Sequence, residues 1–297
     1  MNYIKLSNGF ELPQVGLGTY PLKGRQLIEV LDIATKSNYQ LIDTAIGYGN
    51  HCDIGSAYEN GVISGKTNIV STKVDAFTLK SMALPAPLKR FAGRGEMSFL
   101  INKKVISRAI QRCFDELHKV DIMLLHAPFK GCLGVYDEIS ELYKNNKIKA
   151  FGVSNFDINE LRLLYNERGA YPMINQTEIS PYNSQKELIE FCKENSIAIE
   201  AYSPFGRGKL VPEFMHHPVL TGIASRYNKT VGQVILRWIV QQGLVVIARS
   251  SNPHRLKENI SIFDFELSAS DMSAIDNLNK NMVLGANQIN KQSLKQL

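Results

Sequence analysis

Four residues of kinds that move protons or hold charge stand at or near the ends of short apolar runs: Asp43, Tyr48, Lys73 and His126. Asp43 closes Leu41-Ile42-Asp43, Tyr48 lies between Gly47 and Gly49, Lys73 follows Ser71-Thr72, and His126 follows Leu124-Leu125. A carboxylate at the end of a buried strand needs a cation, and Lys73 can supply it. An ammonium beside a phenol favours the phenolate, lowering a pKa that starts near ~10. Tyr48 could then give a proton to an alkoxide as it forms, while His126 hydrogen-bonds the same oxygen. With a hydride donor alongside, that chemistry is carbonyl reduction. Each residue also has an ordinary alternative: Asp43 as a helix N-cap or structural ion-pair member, Tyr48 as a loop aromatic, Lys73 as a solvated charge, His126 as a barrel-rim residue. Their arrival on successive strand ends argues against four coincidences.

The elements that would position them repeat along the chain. Residues 3–13 alternate around Ser7-Asn8-Gly9, the pattern of a β-hairpin, expected to cap the bottom of the fold. Strand patterns at 15–19, 41–45, 68–73, 121–126, 148–155, 173–178, 198–203 and 245–250 are each followed by a helical pattern. Eight strand-then-helix units indicate a parallel sheet closed by helices, the (β/α)8 TIM barrel, with residues 1–297 expected as one domain. Reactive groups on such a barrel come from the C-terminal ends of different strands, which places all four candidates on one face. An extra amphipathic stretch, 231–240, holds Trp238. The connection at 74–104 is far longer than the roughly 2–6 residues usual in such units. It carries Pro85, Pro87, Gly93 and Gly95, several apolar residues and an excess of basic ones, and reads as an ordered flap walling the substrate site.

Composition narrows the class. A hydrophobic share of 44% against 21% charged residues fits a globular chain with a large core. The net charge of +6 suits an anionic cofactor or substrate, whereas no basic run interleaved with aromatics points to nucleic acid. The four cysteines have no CxxC spacing, so neither a disulfide framework nor a metal site is expected. With no apolar signal segment and no membrane-length run, the expected setting is the cytoplasm, as a monomer or weak dimer with no membrane partner. No GxGxxG follows the first strand, which speaks against a Rossmann dinucleotide domain.

Asp43-Thr44-Ala45 with Tyr48, Ser71-Thr72-Lys73, Leu124-Leu125-His126-Ala127-Pro128, Gly152-Val153-Ser154-Asn155-Phe156, and Arg249-Ser250 before Arg255 and Glu258-Asn259 resemble the aldo-keto reductases. The resemblance spans nearly the whole chain, with the motifs in the family's order. It implies an NADPH-dependent oxidoreductase reducing an aldehyde or ketone, Tyr48 being the acid of an Asp43/Tyr48/Lys73/His126 tetrad. Ser154, Asn155 and Gln176 would hold the nicotinamide carboxamide. Tyr202 would stack on the nicotinamide, and Ser203 with residues 204–210 would wrap the pyrophosphate. Arg249, Ser250, Arg255, Glu258 and Asn259 are the remaining cofactor contacts it implies. The alternative is a family relative that binds NADPH as a regulatory subunit with little turnover; NADPH consumption with a panel of aldehydes separates the two.

The sequence departs from the family at several points. Ala127 stands where a tryptophan usually walls the substrate pocket, leaving room for a bulkier carbonyl compound, and the basic excess at 74–104 leaves room for an anionic one. Tyr20 also replaces a common tryptophan. Ala248 replaces a usual proline and Arg249 a usual lysine, the latter keeping the charge and adding bidentate phosphate geometry. Arg249 and Arg255 flank Asn252-Pro253, an N-cap and first helical residue, so guanidinium groups near a helix N-terminus would meet the 2′-phosphate. Arg255→Ala is therefore expected to weaken NADPH by about 1.5–3 kcal/mol and NADH far less. Equal losses for both dinucleotides in a binding titration would make Arg255 structural.

Overall fold

In the computed structural model, which describes residues 2–84 and 101–285, the hairpin forms from β1 (Tyr3–Lys5) and β2 (Glu11–Pro13), paired antiparallel. Eight parallel strands follow: β3 (Val15–Gly18), β4 (Leu41–Asp43), β5 (Ile69–Val74), β6 (Ile122–Leu125), β7 (Ala150–Ser154), β8 (Ile174–Glu178), β9 (Ala198–Tyr202) and β10 (Val245–Ala248). They pair in sequence order, and β10 returns to β3, closing the barrel. The (β/α)8 expectation holds, with strand ends shifted by a residue or two. Lys73 is the last residue but one of β5, and His126 lies just beyond β6.

The strand side chains divide by alternation. One set packs outward under the helices, among them Ile42, Val70, Met123, Leu125 and Val153. The other fills the lumen: Leu41, Ile122, Leu124, Ala150, Ile174, Val245 and Ile247, joined by Leu6 and Leu12 of the hairpin region. Leu41, Leu124 and Ile174 each sit two residues before Asp43, His126 and Gln176. The apolar layer therefore lies directly beneath the polar one, and the hairpin plugs the lumen from below.

The outer helices are α1 (Gly24–Lys36), α2 (His51–Glu59), α3 (Ala76–Ala83), α4 (Lys103–Leu117), α5 (Cys132–Lys144), α6 (Ile158–Arg168), α7 (Lys186–Glu194), α8 (Val211–His216), α9 (Pro218–Tyr227), α10 (Val231–Gln241), α11 (Pro253–Ile260) and α12 (Ala269–Asp276). Their starts follow local chemistry: Asp157 with Glu160 and Thr230 with Gln233 form capping boxes on α6 and α10. Trp238 is fully buried on α10, its indole N–H donating to Asp276 of α12 at 2.7 Å.

The long connection after β5 is not loop throughout. It opens with α3, capped by Asp75, whose carboxylate accepts from the Thr78 N–H at 2.8 Å. Residues 85–100, which hold Pro85, Pro87, Gly93, Gly95 and half of the basic side chains of the expected flap, lie outside the described residues. No helix among the described residues is long and apolar enough to cross a membrane. All four cysteines are unbonded.

Close backbone approach in the sheet gives a test of the packing. A Cβ on Gly152 of β7 would lie 2.2 Å from the Ile174 carbonyl oxygen of β8, and backbone cannot swing aside as a side chain can. Gly152→Ala should cost about 2–3 kcal/mol, read as a lower urea midpoint at unchanged m-value. A variant as stable as the parent would contradict this packing.

Candidate active site

Lys73 is completely buried. Its Nζ donates to Asp43 Oδ1 at 2.7 Å, to Asp43 Oδ2 at 2.8 Å and to the Thr44 carbonyl at 2.9 Å. An ammonium has three protons, and here each has an acceptor. Burial, the largest influence, pulls the Lys73 pKa down. The charges of Asp43, Tyr48 and Glu200 oppose it and leave the lysine above its ordinary value. Lys73 is therefore a fixed positive charge in the lumen.

Tyr48 ends a short 3-10 turn, Ile46–Tyr48, and Gly49 reverses the chain behind it at φ 64°, where a side chain would strain the backbone. The turn is pinned by the buried Asn50. Its Oδ1 accepts from Thr44 Oγ1 at 2.7 Å, and its Nδ2 donates to Thr19 Oγ1 and the Leu22 carbonyl, both at 3.1 Å. Thr19 in turn donates from its hydroxyl to the Asp43 carbonyl at 3.0 Å. The loop carrying the phenol is thus tied to the strand carrying the carboxylate. The Lys73 ammonium lies 5.4 Å from the Tyr48 ring centre, and the His126 ring meets the phenol edge-on at 5.9 Å.

One expectation is reversed here. Burial is the dominant influence on Tyr48 and raises its pKa. Lys73 pulls the other way without prevailing, so the phenol stands above its ordinary value rather than below it. At neutral pH Tyr48 keeps its proton, the form in which it can donate one.

His126 is held by its main chain. Its N–H donates to the Val74 carbonyl at 2.9 Å, and its carbonyl accepts from Asn155 Nδ2 at 3.0 Å. Burial, reinforced by Lys73 and Arg207, lowers its pKa to about 3, so the imidazole is neutral. Nδ1 is enclosed without a hydrogen-bond partner among the described residues. That leaves Nε2 as the ring nitrogen able to serve a ligand.

The residues expected to meet the nicotinamide join the same network. Ser154 Oγ donates to the Gln176 carbonyl at 2.9 Å and accepts from Asn155 Nδ2 at 3.0 Å; Tyr202 donates to Asn155 Oδ1 at 2.7 Å. Gln176 Nε2 donates to Asp43 Oδ1 at 2.9 Å and to Glu200 Oε2 at 2.6 Å. Both amide protons are therefore engaged inside the barrel, and the carbonyl Oε1 is the part of Gln176 left for a ligand's N–H.

The other expected contacts form a second group at the outer end of the same face. Beyond β9, Ser203 takes a left-handed conformation and starts the tight turn around Arg207. Arg207 lies 3.9 Å from the buried carboxylate of Glu178, which also accepts the Leu284 N–H at 3.0 Å. Beyond β10, Arg249 is exposed and Ser250 buried. Asn252 caps α11 as expected, accepting from the N–H groups of His254 and Arg255. Arg255 is exposed on the first turn of α11, Glu258 faces His254 at 3.5 Å, and Asn259 is buried. Ile247 pairs with Tyr202 across β10 and β9, so this cationic end adjoins the nicotinamide group.

Sequence reasoning passed over Glu178, Glu200 and Arg207. The signal was available for two of them: Glu178 shares the alternation of Gln176, and Glu200 that of Tyr202. No cluster of three or more metal-ligating side chains occurs among the described residues. A hollow of about 590 Å³ lined by Phe114, Lys119, Tyr143 and Lys149 lies among the loops entering the strands, at the far end from this chemistry.

The model of the Aldo/keto reductase family matches residues 14–280. Glyoxal reductase of Bacillus subtilis is 35% identical over 286 residues, covering 96% of this chain and 95% of the relative. Among solved structures, an aldo-keto reductase from a Medee basin deep-sea metagenome library superposes with a TM-score of 0.84 at 28% identity, covering 97% of this chain and 98% of the other. A Bombyx mori aldo-keto reductase in complex with NADP gives a TM-score of 0.80 at 27% identity, covering 96% and 95%.

The ion pair itself can be tested by unfolding. Lys73→Met leaves the Asp43 carboxylate buried without its cation, a loss of about 3–5 kcal/mol. Adding Asp43→Asn removes the stranded charge and should recover part of that loss. A double mutant no more stable than Lys73→Met, measured in a urea double-mutant cycle, would show that the two side chains do not depend on each other.

Proposed function

The chain belongs to the Aldo/keto reductase family, and on that premise we propose that it is an NADPH-dependent oxidoreductase reducing an aldehyde or ketone to the alcohol, with Tyr48 as proton donor. The observation that carries this reading is the Asp43–Lys73 pair held under a protonated Tyr48, with the edge of a neutral His126 beside the phenol.

The residues present fit the cofactor. Gln176 offers Oε1 to the amide of a carboxamide because both its own protons face inward, and Ser154 and Asn155 stand beside it. Tyr202 supplies a ring face, Ser203 and the Arg207 turn a loop for the pyrophosphate. Arg249 and Arg255 supply exposed cations for the 2′-phosphate, with Ser250, Glu258 and Asn259 around them. When bound, NADPH supplies the hydride.

The remaining work falls to the chain's own groups. His126 donates from Nε2 to the carbonyl oxygen and fixes its direction; being neutral, it orients that oxygen without competing as an acid. Tyr48 gives its phenolic proton to the same oxygen as negative charge develops there. Lys73 then stabilises the phenolate left behind, its own position set by both oxygens of Asp43 and the Thr44 carbonyl. Water replenishes the phenol from solvent after product leaves. The half-buried Ala127 adjoins His126, and its small side chain leaves space for a substrate with a bulky group on the carbonyl carbon.

Tyr48→Phe removes the proton donor while leaving the expected cofactor contacts intact. It should lower kcat about 10²–10⁴-fold with NADPH affinity nearly unchanged in a fluorescence titration. Retention of more than about a tenth of the parental kcat, well above that range, would assign the acid elsewhere.

A further inference from the structure

Glu200 is a completely buried carboxylate that the reductase chemistry does not use. It lies in mid-β9, opposite Val245 on β10 and Gln176 on β8. Oε2 accepts from Gln176 Nε2 at 2.6 Å, and Oε1 has no partner among the described residues. Gln176 is thereby gripped by two carboxylates, Asp43 on one proton and Glu200 on the other. An amide rotated by half a turn would aim its oxygen at Asp43, so only one orientation satisfies the site.

We propose that Glu200 is a positioning residue for the reductase site, clamping Gln176 so that its Oε1 faces the cofactor carboxamide and setting, through its own charge, the net charge of the Asp43–Lys73 cluster. The inference rests on the carbonyl-reductase reading above. With Glu200 protonated, the Asp43–Lys73–Glu200 cluster holds one carboxylate and one ammonium and is neutral. With Glu200 ionised, it carries an uncompensated negative charge.

The groups facing Glu200 set where that change occurs. Gln176 comes from β8, Asp43 from β4 and Lys73 from β5. The layer beneath is mostly apolar, with Val245, Ile247, Ile122, Leu124 and Ala150, and also holds the buried hydroxyl of Ser71, two residues before Lys73. Glu178 and Tyr202 continue the same alternation toward the mouth, and Tyr48 lies in the loop beyond β4. Burial is the largest influence, followed by repulsion from Asp43; the Gln176 hydrogen bond and Lys73 only partly offset them, and the pKa rises to about 7. As pH climbs through that value, the new negative charge opposes formation of a phenolate at Tyr48, so proton donation slows.

The test uses two substitutions in the full chain. Glu200→Gln keeps an acceptor for Gln176 but cannot ionise; Glu200→Leu removes the acceptor. In a fluorescence titration, Glu200→Gln should bind NADPH like the parent, and Glu200→Leu about five- to tenfold more weakly, the effect of one hydrogen bond. In single turnovers with NADPH in excess, the parental rate should fall about threefold or more between pH 6 and pH 8, while Glu200→Gln holds the rate seen at low pH. A Glu200→Gln profile that superposes on the parent, a parental profile flat across that range, or a folded Glu200→Leu variant with parental affinity overturns the inference. Should Glu200→Leu fail to fold, the Glu200→Gln profile still decides. A parent chain that binds no NADPH overturns the reductase reading itself, which separates the two failures.

Discussion

The Lys73 ammonium, with all three protons accepted inside a closed barrel, is the constraint from which the rest of the site follows. A charge without water is tolerable only where acceptors surround it, and here the acceptors come from β4 and the residue after it. Once Lys73 is fixed, Asp43 must lie beside it with both oxygens turned inward. Gln176 can then reach the same carboxylate, and Ser154, Asn155 and Tyr202 follow through Gln176 and one another. The cofactor-side residues and the proton-donor side are therefore parts of one hydrogen-bonded body. The layer beneath, apolar apart from Ser71, is plugged by Leu6 and Leu12 of the hairpin region, and Lys73 is completely buried above it.

Much of this was legible in the sequence. Asp43, Lys73 and His126 stand at the ends of apolar runs, and strand-then-helix repetition says which end of the barrel those positions occupy. The hairpin, the helix around Trp238 and the Asn252-Pro253 start of α11 were readable from turn and cap chemistry. What could not be read was the balance between opposing influences at one atom. That Lys73 lies near Tyr48 follows from order along the chain. That burial outweighs Lys73 at the phenol depends on how closely the surrounding loops pack, which no spacing discloses. The helix α3 was hidden for a different reason: prolines and glycines further along the same connection masked a short helix with its own aspartate cap.

Glu178 and Glu200 show how alternation can be applied too narrowly. Gln176 and Tyr202 were singled out, yet a strand that points those two into the site also points the residues two positions away. A carboxylate inside a barrel strand is costly to bury without a partner. Its presence on the same face as a ligand-facing residue was a signal in its own right. Arg207 differs, because a loop arginine has no periodic partner to betray it; its approach to Glu178 depends on the left-handed turn between Ser203 and Gly208.

Closure of the barrel by β10 against β3 carries a consequence for how the protein is made. A chain emerging from the ribosome exposes β3 long before β10 exists, so the earliest barrel strand keeps an open edge for most of synthesis. Without β10 the barrel has an open seam, and the lumen that buries Asp43, Lys73 and Glu200 is not enclosed. The low-dielectric surroundings that set their charge states therefore require the last strand in its place between β9 and β3.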